Sequence, residues 1–160
     1  MTVSYSNTDL AVRLDHLRRV AIKECYYLTY TVERLKQIDP QFRWLDALEQ
    51  NAELTERLDA FVGRFCRLQD TLGDKLLPVY LKMQLEPLGT VLDNLNRAER
   101  LGLIASVADW IEARSLRNNL IHEYIEDIEL LRQSILRAFE LIPMLETVTQ
   151  KLCQETGKQQ

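Results

Sequence analysis

Glycine and proline are scarce in this sequence, with five glycines and four prolines among 160 residues. Because these two residues interrupt helices most strongly, their scarcity predicts long helices joined by short loops. Long apolar runs are also missing, and none approaches the roughly 18 uninterrupted residues that a membrane span requires. The first residues, MTVSYSNTDLAVRLDHLRR, lack the basic, apolar and small regions of a secretory signal. We therefore expect a cytoplasmic protein with no membrane partner.

Cysteine and histidine are too few and too widely spaced for the common metal and redox sites. The three cysteines, Cys25, Cys66 and Cys153, form no C-x-x-C pair. The carboxylates near the motif described below do not combine with histidine at the i, i+3 spacing of di-iron bundles. Phosphate-loop, dinucleotide-binding and serine-triad motifs are absent as well. The sequence predicts no metal and no cofactor, and it predicts that Cys25 and Cys66 are small buried side chains.

The balance of charge excludes a protein that coats nucleic acid. The formal net charge is −4, whereas broad non-specific affinity requires many lysines and arginines to neutralise phosphates. The positive charge nevertheless comes mostly from arginine, with fourteen arginines against six lysines. Arginine is the better residue for forked recognition of a phosphate, so a local RNA site remains compatible with this composition. No DNA partner is expected.

Apolar residues recur at helical spacing along most of the chain, and no alternating strand pattern competes with them. Predicted helices cover about residues 8–37, 40–50, 54–85 and 87–100, a stretch that starts at about residue 106, and residues 126–155. Pro78 and Pro143 lie inside two of these stretches, where each is expected to bend or interrupt the helix. The pattern predicts one domain over residues 1–160, an all-α antiparallel up-and-down bundle of about five to six helices.

Residues that commonly begin helices suggest three starting points. Thr8 or Asp9 is expected to cap the first helix, because their side chains can accept a hydrogen bond from a free backbone N–H. Pro87 is expected to open the helix that runs to about residue 100, since proline suits the first helical turn. Ser106 precedes a further amphipathic stretch and is expected to cap it.

That last helix contains the most informative segment, RSLRNNLIHEY, at residues 114–124. Arg117 falls in the middle of an apolar arc when each residue is advanced by about 100°, and this arc contains Trp110, Ala113, Leu120, Ile121 and Tyr124. An arginine in such a position needs a partner, because burying an unpaired charge is expensive. His122 lies roughly 140° around an ideal helix from Arg117, whereas Tyr124 returns to within about 20° of it. Either the helix breaks near His122, or a second copy of the chain completes the site across a twofold axis.

The segment from Arg117 to Tyr124 resembles the R-x4-H-x-Y motif of HEPN-domain proteins, specifically the HepT-like group that is paired with minimal nucleotidyltransferases. Asn118 also fits the resemblance, because that family places a polar residue directly after the arginine. The specific similarity covers about residues 93–131 and agrees with the predicted helical bundle.

The resemblance implies a toxin of a toxin–antitoxin system that cleaves RNA as a homodimer without a metal. Arg117 would hold the phosphate and stabilise the charge that develops on it, and His122 would act as general base or acid. Asn118 would position the phosphate or His122. Tyr124 would contact the RNA, and it would also be the residue to which a nucleotidyltransferase antitoxin attaches AMP, which silences the nuclease.

Two other interpretations of the same residues remain open. A non-catalytic HEPN module would dock onto a nucleotidyltransferase and present its substrate. A purely structural helical adaptor would use Arg117 as an internal ion-pair partner, with Asp70 or Asp74 as the acid on a neighbouring helix.

Overall fold

The computed structural model describes residues 6–39, 41–122 and 127–154, and every regular element in these ranges is a helix. The predicted all-α bundle of five to six helices is therefore confirmed. The helices are α1 (Asn7–Ile38), a 3-10 helix (Arg43–Gln50), α2 (Ala52–Asp70), α3 (Leu77–Met83), α4 (Val91–Arg100), α5 (Val107–His122) and α6 (Ile128–Cys153). A π-helical segment, Thr71–Leu76, joins α2 to α3.

Four long helices form a ring in which each contacts two others, in the order α1, α2, α5 and α6. Two ion pairs show that α5 runs antiparallel to the helical stretch of α2, because Arg117 meets Asp70 whereas the earlier Arg114 meets the later Asp74. On α1, Arg18 donates to the carbonyl of Leu152 near the end of α6.

The core between the helices is almost entirely aliphatic and aromatic. Its largest fully buried side chains are Trp110, Phe61, Phe65, Leu28, Leu35, Leu58, Leu68, Leu72, Leu76, Leu81, Leu95 and Leu120.

Two of the three predicted helix starts are wrong. The first helix is capped by Ser6, whose hydroxyl accepts from the backbone N–H of Asp9 at 3.2 Å while the Asp9 carboxylate accepts from the backbone N–H of Ser6. This reciprocal pair satisfies two free donors at once, so it outcompetes a cap by Thr8 or Asp9. The third start is confirmed, since the Ser106 hydroxyl accepts from the backbone N–H of Asp109 at 3.1 Å.

The helix expected to open at Pro87 begins four residues later. Thr90 caps α4 by accepting from the backbone N–H of Asp93 at 3.2 Å, and Asp93 bonds back to the N–H of Thr90. The chain between α3 and α4 turns at Leu85, which adopts a left-handed backbone with φ of 59°. A reciprocal cap again determines the boundary, whereas a proline only permits one.

Neither internal proline breaks its helix. Pro143 lies inside α6, which continues from Ile128 to Cys153, so the predicted interruption there is wrong. Pro78 lies in the first turn of α3, directly after the π-helical segment. A proline removes a donor and clashes with the preceding turn of an α-helix, and a local change in helical pitch accommodates both effects. The predicted boundary at Pro78 is therefore a change of helix type within a continuous helical stretch.

The π-helical segment contains Gly73, which lets α5 approach closely. A Cβ atom at this position would lie 2.8 Å from Cζ2 of Trp110, whose ring is buried in the core. Such a distance is too short for two carbon atoms, so no larger residue fits without moving the indole. Gly73 and Trp110 together therefore fix the distance between α5 and the helical stretch that follows α2.

None of the helices in the described part of the chain combines the length and the apolar character that crossing a bilayer would require.

We predict that Gly73→Ala lowers the free energy of unfolding by about 1–3 kcal/mol, because the added methyl group collides with the rigid Trp110 ring. Gly63→Ala is the matched control, since a Cβ there meets only the flexible end of Arg67 at 3.8 Å. The control is expected to stabilise α2 by about 0.5–1 kcal/mol through helix propensity alone. Urea denaturation of both variants measures the difference, and equal effects would show that the Gly73 contact is unimportant.

Candidate functional site

The buried face of α5 is displaced slightly from the one that the sequence predicts. Trp110, Ala113, Leu116 and Leu120 are buried in the core. Leu116 was not among the residues expected on this face, and its burial moves the centre of the face away from Arg117. Arg117 therefore lies at the edge of the contact with α2, where its aliphatic stem is covered and its charged end can reach solvent.

Arg117 forms an ion pair with Asp70, the last residue of α2. The Nη1 atom of Arg117 lies 2.5 Å from Oδ1 of Asp70, and the two side chains are 31% and 32% exposed. The pairing with Asp70 was one of the two structural partnerships that the sequence suggested. A guanidinium carries five N–H donors, so this bond leaves donors for a second anion. The Nε atom of Arg117 is itself buried and has no hydrogen-bond partner among the described residues.

A second ion pair lies one turn away, between α5 and the π-helical segment that follows α2. Nη1 of Arg114 donates to Oδ1 of Asp74 at 2.9 Å. This pair was missed at the sequence level, where Asp74 was considered only as a partner for Arg117. The signal was available, because Asp70 and Asp74 are four residues apart and face two arginines that are three residues apart on an antiparallel neighbour. We refer to these two ion pairs and the Gly73–Trp110 contact as the α2–α5 seam.

Cys66 is also close to Arg117 but is not a nucleophile. Burial raises the pKa of its thiol to about 11, the positive charge of Arg117 lowers it, and the negative charge of Asp70 raises it. The thiol is therefore protonated at neutral pH, as expected for a buried structural cysteine. Cys66 is buried as predicted, whereas Cys25 is only half-buried. Among the described residues, no group of three or more His, Cys, Asp and Glu side chains is arranged to hold a metal ion.

The other predicted site residues differ in how far the structure describes them. Asn118 lies on α5 and is exposed to solvent. His122 is the last residue of α5, and the backbone is helical without a break from Arg117 to this position. Five helical residues place these two positions about 140° apart around the axis. Tyr124 lies outside the described residues.

The unbroken helix bears on the two alternatives that the motif left open. A break before His122 would have allowed one copy of the chain to bring both positions to the same side. The backbone is continuous from Arg117 to His122, the last described residue of α5, so no break between them brings the two positions of one copy to the same side.

Comparison of the chain with protein-family models, curated proteins and solved structures found no match. The resemblance to HEPN proteins therefore depends on the residues of the motif alone, of which Arg117 to His122 lie on α5.

We predict that Asp70 and Arg117 are energetically coupled by about 1 kcal/mol, which is the upper range for an ion pair that is a third exposed. A double-mutant cycle with Asp70→Asn and Arg117→Gln, measured by urea denaturation, gives this coupling directly. The Asp74 and Arg114 pair provides the matched control and should show weaker coupling, because it is longer and more exposed. Coupling of zero for the first pair would mean that Asp70 does not hold Arg117 in place.

Proposed function

We propose that this protein is a metal-independent endoribonuclease of the HepT-like HEPN type, the toxin of a cytoplasmic toxin–antitoxin pair. The observation that carries the proposal is the environment of Arg117. Its guanidinium is paired with Asp70 at the edge of the contact between α5 and α2, and about a third of the side chain is still exposed. It lies on the same continuous helix as His122, at the spacing of the R-x4-H-x-Y motif. A fixed but accessible arginine suits the recognition of a phosphate.

The proposed reaction needs only proton transfer and charge stabilisation, because RNA supplies its own nucleophile. His122 accepts the proton of a 2′-hydroxyl while the 2′-oxygen forms a bond to the adjacent phosphorus. The bond between phosphorus and the 5′-oxygen breaks, that oxygen takes up a proton from water, and His122 returns its proton to the solvent. The products are a 2′,3′-cyclic phosphate and a free 5′-hydroxyl. Arg117 donates to the non-bridging oxygens, on which negative charge increases in the transition state.

A homodimer explains how Arg117 and His122 reach one phosphodiester. Their positions on one continuous helix lie about 140° apart, so a single copy places the two residues on different sides of α5. A twofold axis that runs near α5 would bring Arg117 of one copy to the His122 of the other, and it would do so twice. Asn118, which is exposed beside Arg117, would then face the same cleft and orient the phosphate or the imidazole.

We predict that Arg117→Lys and His122→Ala each reduce RNA cleavage by at least about 100-fold, since each removes a group that acts in the transition state. Arg114→Lys is the matched control, because Arg114 has a similar ion pair on the next turn but lies outside the motif. Cleavage by the wild-type protein is expected to persist in excess EDTA. The assay is gel analysis of labelled RNA, with the cyclic phosphate identified by mass spectrometry. Full activity of His122→Ala would remove the histidine from the mechanism.

Tyr124 completes the proposal as the site of control. Tyr124 is close to Arg117 and His122 in the sequence. Attachment of AMP to its hydroxyl would add a bulky negative group that pairs with the arginine and repels RNA. We propose that the antitoxin is a minimal nucleotidyltransferase whose gene lies next to the gene for this protein.

Co-expression with such a neighbouring nucleotidyltransferase is predicted to add the mass of one AMP group to the peptide that contains Tyr124 and to abolish cleavage. The Tyr124→Phe variant should remain unmodified in the same experiment, because it lacks the accepting hydroxyl. Peptide mass spectrometry provides the measurement, and the exposed Tyr26 is an internal control for specificity. AMP found on other tyrosines but not on Tyr124 would contradict this mode of control.

The ion pair with Asp70 also favours a second candidate, a non-catalytic helical module in which Arg117 has a structural role. Breaking a partly buried pair destabilises a protein, and that alone can account for an arginine at this position. Under this candidate Arg117→Lys would lower stability and change little else, and the purified wild-type protein would leave RNA intact. Cleavage of RNA by the wild-type protein separates the two candidates.

A further inference from the structure

Three exposed tyrosines lie close together on α1, far along the helix from its capped end. Tyr26, Tyr27 and Tyr30 are 66%, 51% and 50% exposed. Their positions, three and four residues apart, place them on one side of the helix. The rings of Tyr26 and Tyr27 also meet edge to face, with centroids 5.4 Å apart. A cluster of solvent-exposed aromatic side chains is typical of a surface that binds another molecule.

Arginines from α1 and α2 surround these rings. The guanidinium carbon of Arg34 lies 5.7 Å from the centroid of Tyr30, and that of Arg64 lies 5.5 Å from the centroid of Tyr27. Arg64 is held in place, because its Nη1 donates to the carbonyl of Tyr27 at 3.1 Å and to the hydroxyl of Thr31. Arg64 is therefore fixed beside the aromatic face of Tyr27, and Arg34 lies over the ring of Tyr30.

Tyr27, Tyr30, Arg34 and Arg64 line two hollows that follow the groove between α1 and α2, whereas Tyr26 borders this groove only through its ring contact with Tyr27 and itself lines a hollow between α1 and α6. One has a volume of about 210 Å³ and is lined by Glu24, Tyr27, Arg64 and Arg67. The next has a volume of about 190 Å³, shares Arg64, and is lined also by Tyr30, Thr31, Arg34, Glu56, Arg57 and Ala60. Four guanidinium groups and two carboxylates line this groove, so its local charge is opposite in sign to that of the whole chain.

We define the Tyr–Arg strip as Tyr26, Tyr27, Tyr30, Arg34, Arg64 and Arg67. One end of the strip lies near Arg117. Arg67 lies one turn before Asp70 on α2, and Asp70 is the ion-pair partner of Arg117. Glu24, across the groove on α1, interacts electrostatically with both Arg67 and Asp70. The strip and the candidate cleavage site therefore occupy adjoining surfaces, connected through Asp70.

We propose that the Tyr–Arg strip binds single-stranded RNA on one side of the phosphodiester that is cleaved at Arg117. This inference rests on the proposed ribonuclease function and extends it to the class of substrate. Exposed aromatic rings stack on unpaired bases, and arginines beside them contact the backbone phosphates. In an RNA duplex the bases are stacked on one another, so their faces are not available to these rings.

A second copy of the chain is a poorer occupant of the strip. At a twofold axis through the strip, each arginine would approach arginines of the other copy, and groups of like charge repel. An RNA strand presents phosphates and unpaired bases together, which matches both the cations and the aromatic rings. The observations therefore favour RNA over self-association at this surface.

The test uses a fluorescent single-stranded 2′-O-methyl RNA of about twelve nucleotides, with affinity measured by anisotropy. Because this probe has no free 2′-hydroxyl, it cannot be cleaved by the proposed mechanism, so binding is measured whether or not the ribonuclease proposal is correct. We expect the double variant Tyr26→Ala and Tyr30→Ala to weaken binding by about tenfold or more. Replacing both tyrosines by Phe should retain most of the affinity, because stacking needs the ring and not the hydroxyl.

The arginines are tested through salt dependence. Arg67→Gln is expected to weaken binding and to reduce the slope of log affinity against log salt by about 0.7, the value for one lost phosphate contact on a single strand. Arg13→Gln is the matched control, since it removes the same charge from an exposed position of α1 about 20 Å from Tyr26 along the helix. Circular dichroism and urea denaturation check that all variants remain folded.

Equal binding by the Tyr→Ala double variant and the wild-type protein would overturn the proposal. Tighter binding of a duplex of the same length would also overturn it. A third contrary result would be loss of the dimer in the same variant, measured by sedimentation, because the strip would then be an interface between copies. If the strip binds RNA but the wild-type protein leaves an unmodified strand intact, the failure lies with the ribonuclease proposal and not with the strip.

Discussion

The α2–α5 seam determines where the functional groups of this protein lie. At one end of the seam, Trp110 packs against Gly73 so closely that a single methyl group would not fit between them. Farther along, Arg114 and Arg117 pair with Asp74 and Asp70. The close contact sets the distance between the helices, and the ion pairs set their register. Other contacts of α5, with α4 and α6, build on a helix whose position this seam fixes.

For the proposed site, the seam has two consequences. It places the guanidinium of Arg117 at a rim, where a carboxylate orients it while part of the side chain remains in solvent. It also holds Arg117 against Asp70 at the end of α2, and Asp70 lies near Glu24 and Arg67, which line the groove between α1 and α2. An arginine that is oriented before the ligand arrives loses less side-chain entropy on binding, which strengthens recognition of a phosphate.

The sequence predicts much of this architecture, because apolar residues at helical spacing dominate every long stretch. It fails at boundaries where two residues act together. Ser6 with Asp9 and Thr90 with Asp93 cap their helices reciprocally, and these pairs outcompete the single residues that propensity favours. Pro143 lies within a continuous α6, although the local pattern predicts that a proline bends or interrupts a helix.

The candidate site was predicted in part. The burial of a charge on α5 indicated a partner acid, and Asp70 is that partner. The Arg114–Asp74 pair and the position of Leu116 required the crossing of two helices, which the sequence leaves undetermined. The Tyr–Arg strip was missed because its tyrosines and arginines come from two helices and meet only in the folded chain.

The central claim is that Arg117 of one copy acts with His122 of another, and complementation tests it most directly. Arg117→Ala and His122→Ala chains, each inactive alone, are unfolded together, refolded as mixed dimers and assayed for RNA cleavage. If the groups act across the dimer, each mixed dimer regains one intact site, and activity returns to about a quarter of the wild-type value. If both groups act within one chain, every site in the mixture carries a defect, and the absence of recovered cleavage would contradict the account.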